Sequence, residues 1–134
     1  MKTDYIKLTQ SFEELTLNPI NFRHIDHIGV AYVMLSKYDF ITAIYKYSNN
    51  INRIATKAGA AKKFNVTITL AFLSLISERM LQSRYKSANE FLKNNQDLIK
   101  NNQLKKLYSE QRLQSESARV TFLMPDNLIS NTTT

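Results

Sequence analysis

Two histidines are the residues of this chain best suited to chemistry. His24 and His27 are its only histidines, and their spacing of three places both side chains on one face of a helix. Neutral imidazole coordinates transition metals and accepts protons, and the helix dipole near a first turn favours the neutral form of His24. The pair is our candidate for catalysis or for a divalent transition-metal site. A structural role, with both rings bonded to backbone groups, is the alternative.

A stripe of small and polar residues adds candidates on a strongly apolar predicted helix over residues 66–83. Its members are spaced four, three and four apart, which is one helix face: Thr67, Ala71, Ser74 and Glu78. If the stripe faces the histidines, it encloses a polar pocket, with Glu78 as a third ligand or a general base. The alternative, which we prefer on the sequence alone, is that the stripe faces solvent.

These patterns define the candidate site residues. The candidates for catalysis are His24, His27 and Glu78, and the candidates for ligand binding are Asn65, Thr67, Thr69 and Ser74. The two threonines also suit capping or packing at the helix start. The leading hypothesis is a histidine-lined small-molecule pocket between the second and fourth helices, metal-assisted or metal-free, and either catalytic or only binding.

The composition excludes several other kinds of site. The chain has no cysteine, which excludes thiol catalysis, disulfides and cysteine-type zinc sites. It also contains no glycine-rich phosphate loop and no G-x-S-x-G nucleophile motif. The histidines therefore remain the main candidates for a functional site.

The net charge of +7 raises the question of a polyanionic partner. The basic residues are spread along the chain, and the densest group is Lys57, Lys62 and Lys63. No helix-turn-helix, zinc-finger or RNA-binding aromatic motif accompanies them. Nucleic acid is thus the weaker alternative. The main alternative is a helical interaction module that binds a protein partner, a second copy or an acidic surface.

The sequence predicts an all-α, single-domain bundle of about five main helices, with a central apolar helix at 66–83. Two glycines and two prolines in 134 residues are too few for many tight turns, and apolar residues recur at helical spacing. The first predicted helix begins at Ser11, which forms a capping box with Glu14, and ends before Asn18-Pro19. The second runs from near Asn21 to 37, and the third, capped by Asp39, covers 40–58 and ends at Gly59. The fourth begins at 66 and the fifth at Ser87, and shorter helices follow Ser109 and Ser115.

The apolar spacing also predicts which faces are buried. For the second helix these residues are Ile25, Ile28, Tyr32 and Leu35, and for the third helix Ile41, Ile44, Tyr45, Ile51, Ala55 and Ala58. The domain is expected over 1–129, followed by a disordered tail at 130–134. Residues 1–10 lack the apolar run of a signal peptide, and the longest apolar stretch, 66–76, is too short to span a bilayer. We therefore expect a cytoplasmic protein without a membrane partner.

Several short motifs resemble a family of short bacterial all-helical proteins of unnamed function. That family has F-x-H-x-x-H opening a helix, H-G-A before a loop, Y-H-E-T-[IV]-T opening a central helix, and a closing P-D. The matches run from about residue 12 to 128: Phe22, His24 and His27; Gly59 and Ala60; Thr67, Ile68 and Thr69; and Leu113, Ser115, Ala118, Arg119, Pro125 and Asp126.

The chain departs from this pattern where the family carries its other ionisable groups. Ala58 replaces a histidine, and Phe64, Asn65 and Val66 replace tyrosine, histidine and glutamate. If those groups form a metal or acid–base centre in the family, the resemblance implies a degenerate member that binds without catalysing. If they are structural caps, their loss has little consequence. In both cases the resemblance implies the helical fold.

Overall fold

The computed structural model describes residues 2–100 and 102–127, and the regular secondary structure in this part of the chain is helical, without strands. Five of its eight α-helices have seven or more residues, which confirms the predicted all-α domain with five main helices. They are α1 (Tyr5–Glu13), α2 (His24–Lys37), α3 (Phe40–Lys57), α4 (Val66–Gln82), α5 (Ala88–Asn94), α6 (Gln96–Lys100), α7 (Glu110–Leu113) and α8 (Glu116–Val120). Short 3₁₀ turns lie at Pro19–Asn21, Ala61–Lys63 and Gln103–Lys106. No helix in the described residues is long and apolar enough to cross a bilayer.

Helix α2 is the most buried helix of the bundle. Every residue from Ile28 to Met34 is buried, because α1, α3, α4 and α5 all pack against this helix. The predicted apolar helix at 66–83 is present as α4 and packs on α2, α3 and α8. Its last turn reaches solvent, where Leu81 is 86% exposed.

The contact between α1 and α2 depends on Gly29. A Cβ atom at this position would lie 2.4 Å from Cε1 of Tyr5, so only glycine admits the ring at this distance. The Tyr5 hydroxyl donates a 2.9 Å hydrogen bond to Oδ1 of the buried Asp26. Burial raises the pKa of Asp26, but hydrogen bonds from Arg23 and Tyr5 outweigh it and lower the pKa overall. The carboxylate also accepts the Arg23 backbone N–H at the start of α2.

Two predicted helix starts are wrong. The first helix begins at Tyr5 instead of after Ser11, because the Asp4 side chain accepts the Lys7 N–H and caps it there. Ser11 and Glu14 consequently lie at its end. The second helix begins at His24 instead of near Asn21, because Pro19–Asn21 form a 3₁₀ turn and Arg23 is extended.

The third helix is predicted correctly in extent and only partly in its buried face. It runs from Phe40 to Lys57 after Asp39, and Gly59 follows it with φ +76°. Ile41 and Tyr45 are 72% and 69% exposed. Ala58 is exposed as well. Ile44 and Ile51 pack against the core as predicted, but the fully buried residues are Ala43 and Tyr47, because packing selects a neighbouring face of this amphipathic helix.

The C-terminal part covers the beginning of α4 with short capped helices and an extended segment. Ser87, Ser109 and Ser115 cap α5, α7 and α8 as predicted. Ser109 also donates its N–H and its hydroxyl to Asp126, both at 2.8 Å, which fixes the extended segment 121–127. The predicted disordered tail at 130–134 lies outside the described residues.

Candidate functional site

A pocket of about 130 Å³ opens between α2, α3 and α4, and both histidines line it. Thr69 and Tyr47 are the other polar residues in its lining. The remaining wall is apolar: Ile28, Ala31, Ile51, Ile68, Phe72, Leu73 and Ile76. The predicted location of a histidine-lined pocket between the second and fourth helices therefore coincides with a real concavity.

His27 is the more buried member of the histidine pair, and its side chain is half-buried. Its ring lies 4.2 Å from the ring of Phe22, centroid to centroid. Burial, aided by the nearby His24, lowers the pKa of His27 to about 4, while Asp26 and the Phe22 backbone act weakly in the opposite direction. At neutral pH the ring is therefore uncharged, with one N–H donor and one bare nitrogen.

His24 lies at the outer edge of the pocket and is exposed. Its Nε2 is 3.3 Å from the Leu98 carbonyl oxygen, and its ring meets Phe72 edge-on at 5.8 Å. Because a carbonyl oxygen only accepts hydrogen bonds, Nε2 carries a proton in this contact. His24 thus joins α2 to α6 and also borders the pocket.

Helix α3 contributes a tyrosine that sequence reasoning left out of the site. The Tyr47 hydroxyl donates to the backbone carbonyl of His27 at 3.2 Å, and burial raises its pKa, so it stays neutral. Tyr47 and Ile51 are one helical turn apart and both line the pocket. This i, i+4 pair was visible in the sequence, but nothing in it indicated that α3 faces the histidines.

The pocket uses a different face of α4 from the predicted stripe. Thr69, Phe72, Leu73 and Ile76 line it, at spacings of three, one and three. Thr67 and Ala71 instead lie under the C-terminal segment, since α8 packs on this side of α4. Thr67 donates its hydroxyl to the Thr121 carbonyl at 2.7 Å and accepts the Leu123 N–H at 3.0 Å.

The other predicted site residues do not line this pocket either. Asn65 accepts the Ile68 N–H at 2.9 Å and donates to the Leu113 carbonyl at 2.8 Å, so its amide caps α4 and ties it to α7. Ser74 and Glu78 are exposed. The preferred interpretation of the stripe therefore describes its second half, whereas its first half is buried for a structural reason.

The described residues do not assemble a metal centre. Within residues 2–100 and 102–127, no three histidine, aspartate or glutamate side chains converge in a way that could hold a metal ion. Catalytic zinc sites use three protein ligands, and the histidine pair supplies two. With Glu78 on the exposed surface, the predicted third ligand is not available to them.

Comparisons with known proteins add no name to this site. No protein-family model matches the chain, and neither a curated protein nor a solved structure matches it. The resemblance to short bacterial helical proteins therefore stays a prediction.

Proposed function

We propose that this protein binds a small, neutral and mostly apolar molecule that carries one hydrogen-bonding group. The observation that supports this proposal is the pocket of about 130 Å³ with both histidines in an otherwise apolar lining. An apolar cavity of about 150 Å³ is large enough to bind benzene. A single-ring molecule with one hydroxyl or N–H group fits this volume and chemistry.

The charge state of His27 favours binding over acid–base catalysis. A general base works best when its pKa lies near the working pH, and the His27 ring, with a pKa of about 4, is a weak base at pH 7. The same low pKa keeps a bare imidazole nitrogen next to apolar side chains. That nitrogen can accept a hydrogen bond from a ligand hydroxyl. A charged ligand would lose its hydration in the pocket without meeting a group of opposite charge.

Phenol and benzene test the proposal as a matched pair of probes. We expect phenol to shift the His27 and Thr69 resonances in an NMR titration and to bind more tightly than benzene, because only phenol donates a hydrogen bond. Phenol at about a hundred times its Kd raises the free energy of unfolding by about 2.7 kcal/mol. Equal affinities for both probes would contradict a role for the histidines.

Substitutions in the pocket separate binding from folding. Ala31→Leu places a larger side chain in the cavity, so we expect it to abolish the phenol shifts while the chain stays folded. Ser74→Ala, on the exposed side of α4, is the matched control and is expected to leave phenol binding unchanged. Retained phenol binding in folded Ala31→Leu protein would show that phenol occupies another site.

Exposed apolar side chains on α3 favour self-association as a second candidate function. Phe40, Ile41 and Tyr45 are 42%, 72% and 69% exposed on the first turns of this helix. Sedimentation velocity over a hundredfold range of concentration, compared with Ile41→Asp, tests it. A monomer throughout for the wild-type chain would exclude this candidate.

A further inference from the structure

A second and larger concavity lies away from the histidines, and we propose that it binds an amphipathic anion, namely a single alkyl or acyl chain with a carboxylate or phosphate head. This groove has a volume of about 730 Å³ and lies between the residues after α1 and the C-terminal half of α3. Volumes of about 300–1,000 Å³ are typical of small-molecule sites. The proposal is independent of the ligand in the histidine pocket.

The floor of the groove is apolar and includes a strongly exposed residue. Leu15, Leu17, Pro19, Ile20 and Ile54 line it. Ile20 is 88% exposed and lies in a 3₁₀ turn, where the Asn18 side chain accepts the Ile20 N–H at 3.1 Å. An alkyl chain lying in the groove would remove this side chain from water.

The rim of the groove carries positive charge. Arg53 and Lys57 are spaced four apart on α3, so they lie side by side on one helix face, and both line the groove. In the described part of the chain neither forms an ion pair, and no acidic residue lines the groove. An apolar floor with a cationic rim complements an anionic head on an apolar chain.

Leu15 occupies a backbone position that favours glycine. Its φ is +59°, and the Leu15 N–H to Phe12 carbonyl and Thr16 N–H to Ser11 carbonyl bonds form a Schellman motif after α1. Leucine is strained in this conformation. Its half-buried side chain is part of the groove wall.

The end of α3 has the same backbone motif as the end of α1, but with glycine at the position of positive φ. Gly59 has φ +76° and follows α3 in the same motif, with bonds from Gly59 N–H to the Thr56 carbonyl and from Ala60 N–H to the Ala55 carbonyl. A Cβ atom on Gly59 would contact nothing within 4 Å. Leu15 occupies the equivalent position after α1, where glycine would adopt the positive φ without strain. Its side chain, unlike a glycine, forms part of the groove wall.

Dodecanoate and dodecyltrimethylammonium, which share a chain length, test the proposal at concentrations below micelle formation. We expect dodecanoate to shift the amide resonances of residues 15–18, 20 and 52–58 and to bind about tenfold more tightly than the cationic probe. Added salt should weaken the binding of dodecanoate, because the rim cations are exposed. Shifts centred on the histidine pocket, or binding to anionic vesicles but not to monomeric dodecanoate, would overturn the proposal.

Substitutions on the rim and in the wall of the groove test which side chains contribute to the binding of dodecanoate. Arg53→Gln with Lys57→Gln should weaken dodecanoate about tenfold, whereas the charge-matched control Lys93→Gln with Lys100→Gln should leave it unchanged. Leu15→Gly should weaken dodecanoate several-fold and keep a melting temperature within about 4 °C of the wild type, since relief of strain offsets the lost side chain. Wild-type affinity in both groove variants would refute the proposal, whatever the result with phenol.

Discussion

The two concave sites share helix α3 but differ in size, enclosure and charge. Tyr47 and Ile51 face the histidine pocket of about 130 Å³, whereas Arg53 and Lys57 border the groove of about 730 Å³. In the pocket, burial keeps the imidazole of His27 neutral. On the groove rim, both cations remain exposed to water. The two sites therefore differ in the charge that they present to a ligand, which is why we propose a neutral ligand for the pocket and an anionic one for the groove.

Gly29→Ala is the change expected to disrupt both sites at once. Its Cβ would meet the ring of Tyr5, which is 4% exposed and is held by its hydrogen bond to Asp26. Separation of α1 from α2 disturbs the pocket wall on α2 and the groove wall that follows α1. We expect a loss of about 2–3 kcal/mol in the free energy of unfolding, measured by urea denaturation.

Gly59→Ala is the control for that change. It places alanine at a positive φ in open space, so we expect a smaller loss of about 1 kcal/mol, with both sites intact. A loss in Gly29→Ala no larger than in this control would show that the Tyr5 ring is not tightly held against α2.

The histidine pocket should also make stability depend on pH. His27 has a folded-state pKa of about 4 against an ordinary value of 6.5. As the pH falls below 6.5, the unfolded chain binds a proton that the folded chain does not, so stability decreases until the pH passes about 4. Between pH 7 and pH 5 this contribution is about 2 kcal/mol, measurable as the change in unfolding free energy.

Single variants assign this pH dependence to one site. His27→Gln should remove most of the decrease in unfolding free energy between pH 7 and pH 5. His24→Gln and the groove variant Arg53→Gln with Lys57→Gln should retain this decrease. An unchanged pH dependence in His27→Gln would mean that His27 binds a proton as readily in the folded protein as in the unfolded chain, which would contradict a ring held neutral by burial.

Glu78→Gln is expected to have the smallest effect, and it tests the sequence-based site directly. Glu78 is exposed and does not line either concavity. We expect the unfolding free energy to change by less than about 0.5 kcal/mol, with phenol and dodecanoate affinities unaltered. A marked loss of phenol binding would instead place this carboxylate next to the histidines and restore the predicted catalytic group.

The sequence by itself determined the helical class, several helix boundaries and the common face of the two histidines. Ser87, Ser109 and Ser115 cap helices because their side chains bond N–H groups only a few residues away. Gly59 ends α3 for an equally local reason, its positive φ. The spacing of His24 and His27 placed both rings on one face of α2, and both line the pocket.

Only the tertiary structure decided which face of each helix meets which neighbour. The rotation of α4 brings Thr69 to the histidines, Thr67 to the C-terminal segment and Glu78 to solvent. This choice depends on packing between residues distant in the chain, and an apolar helix such as α4 offers several faces to that packing. The groove likewise joins residues 15–20 to residues 52–58, a proximity that arises when α1 and α3 pack together and that no local pattern encodes.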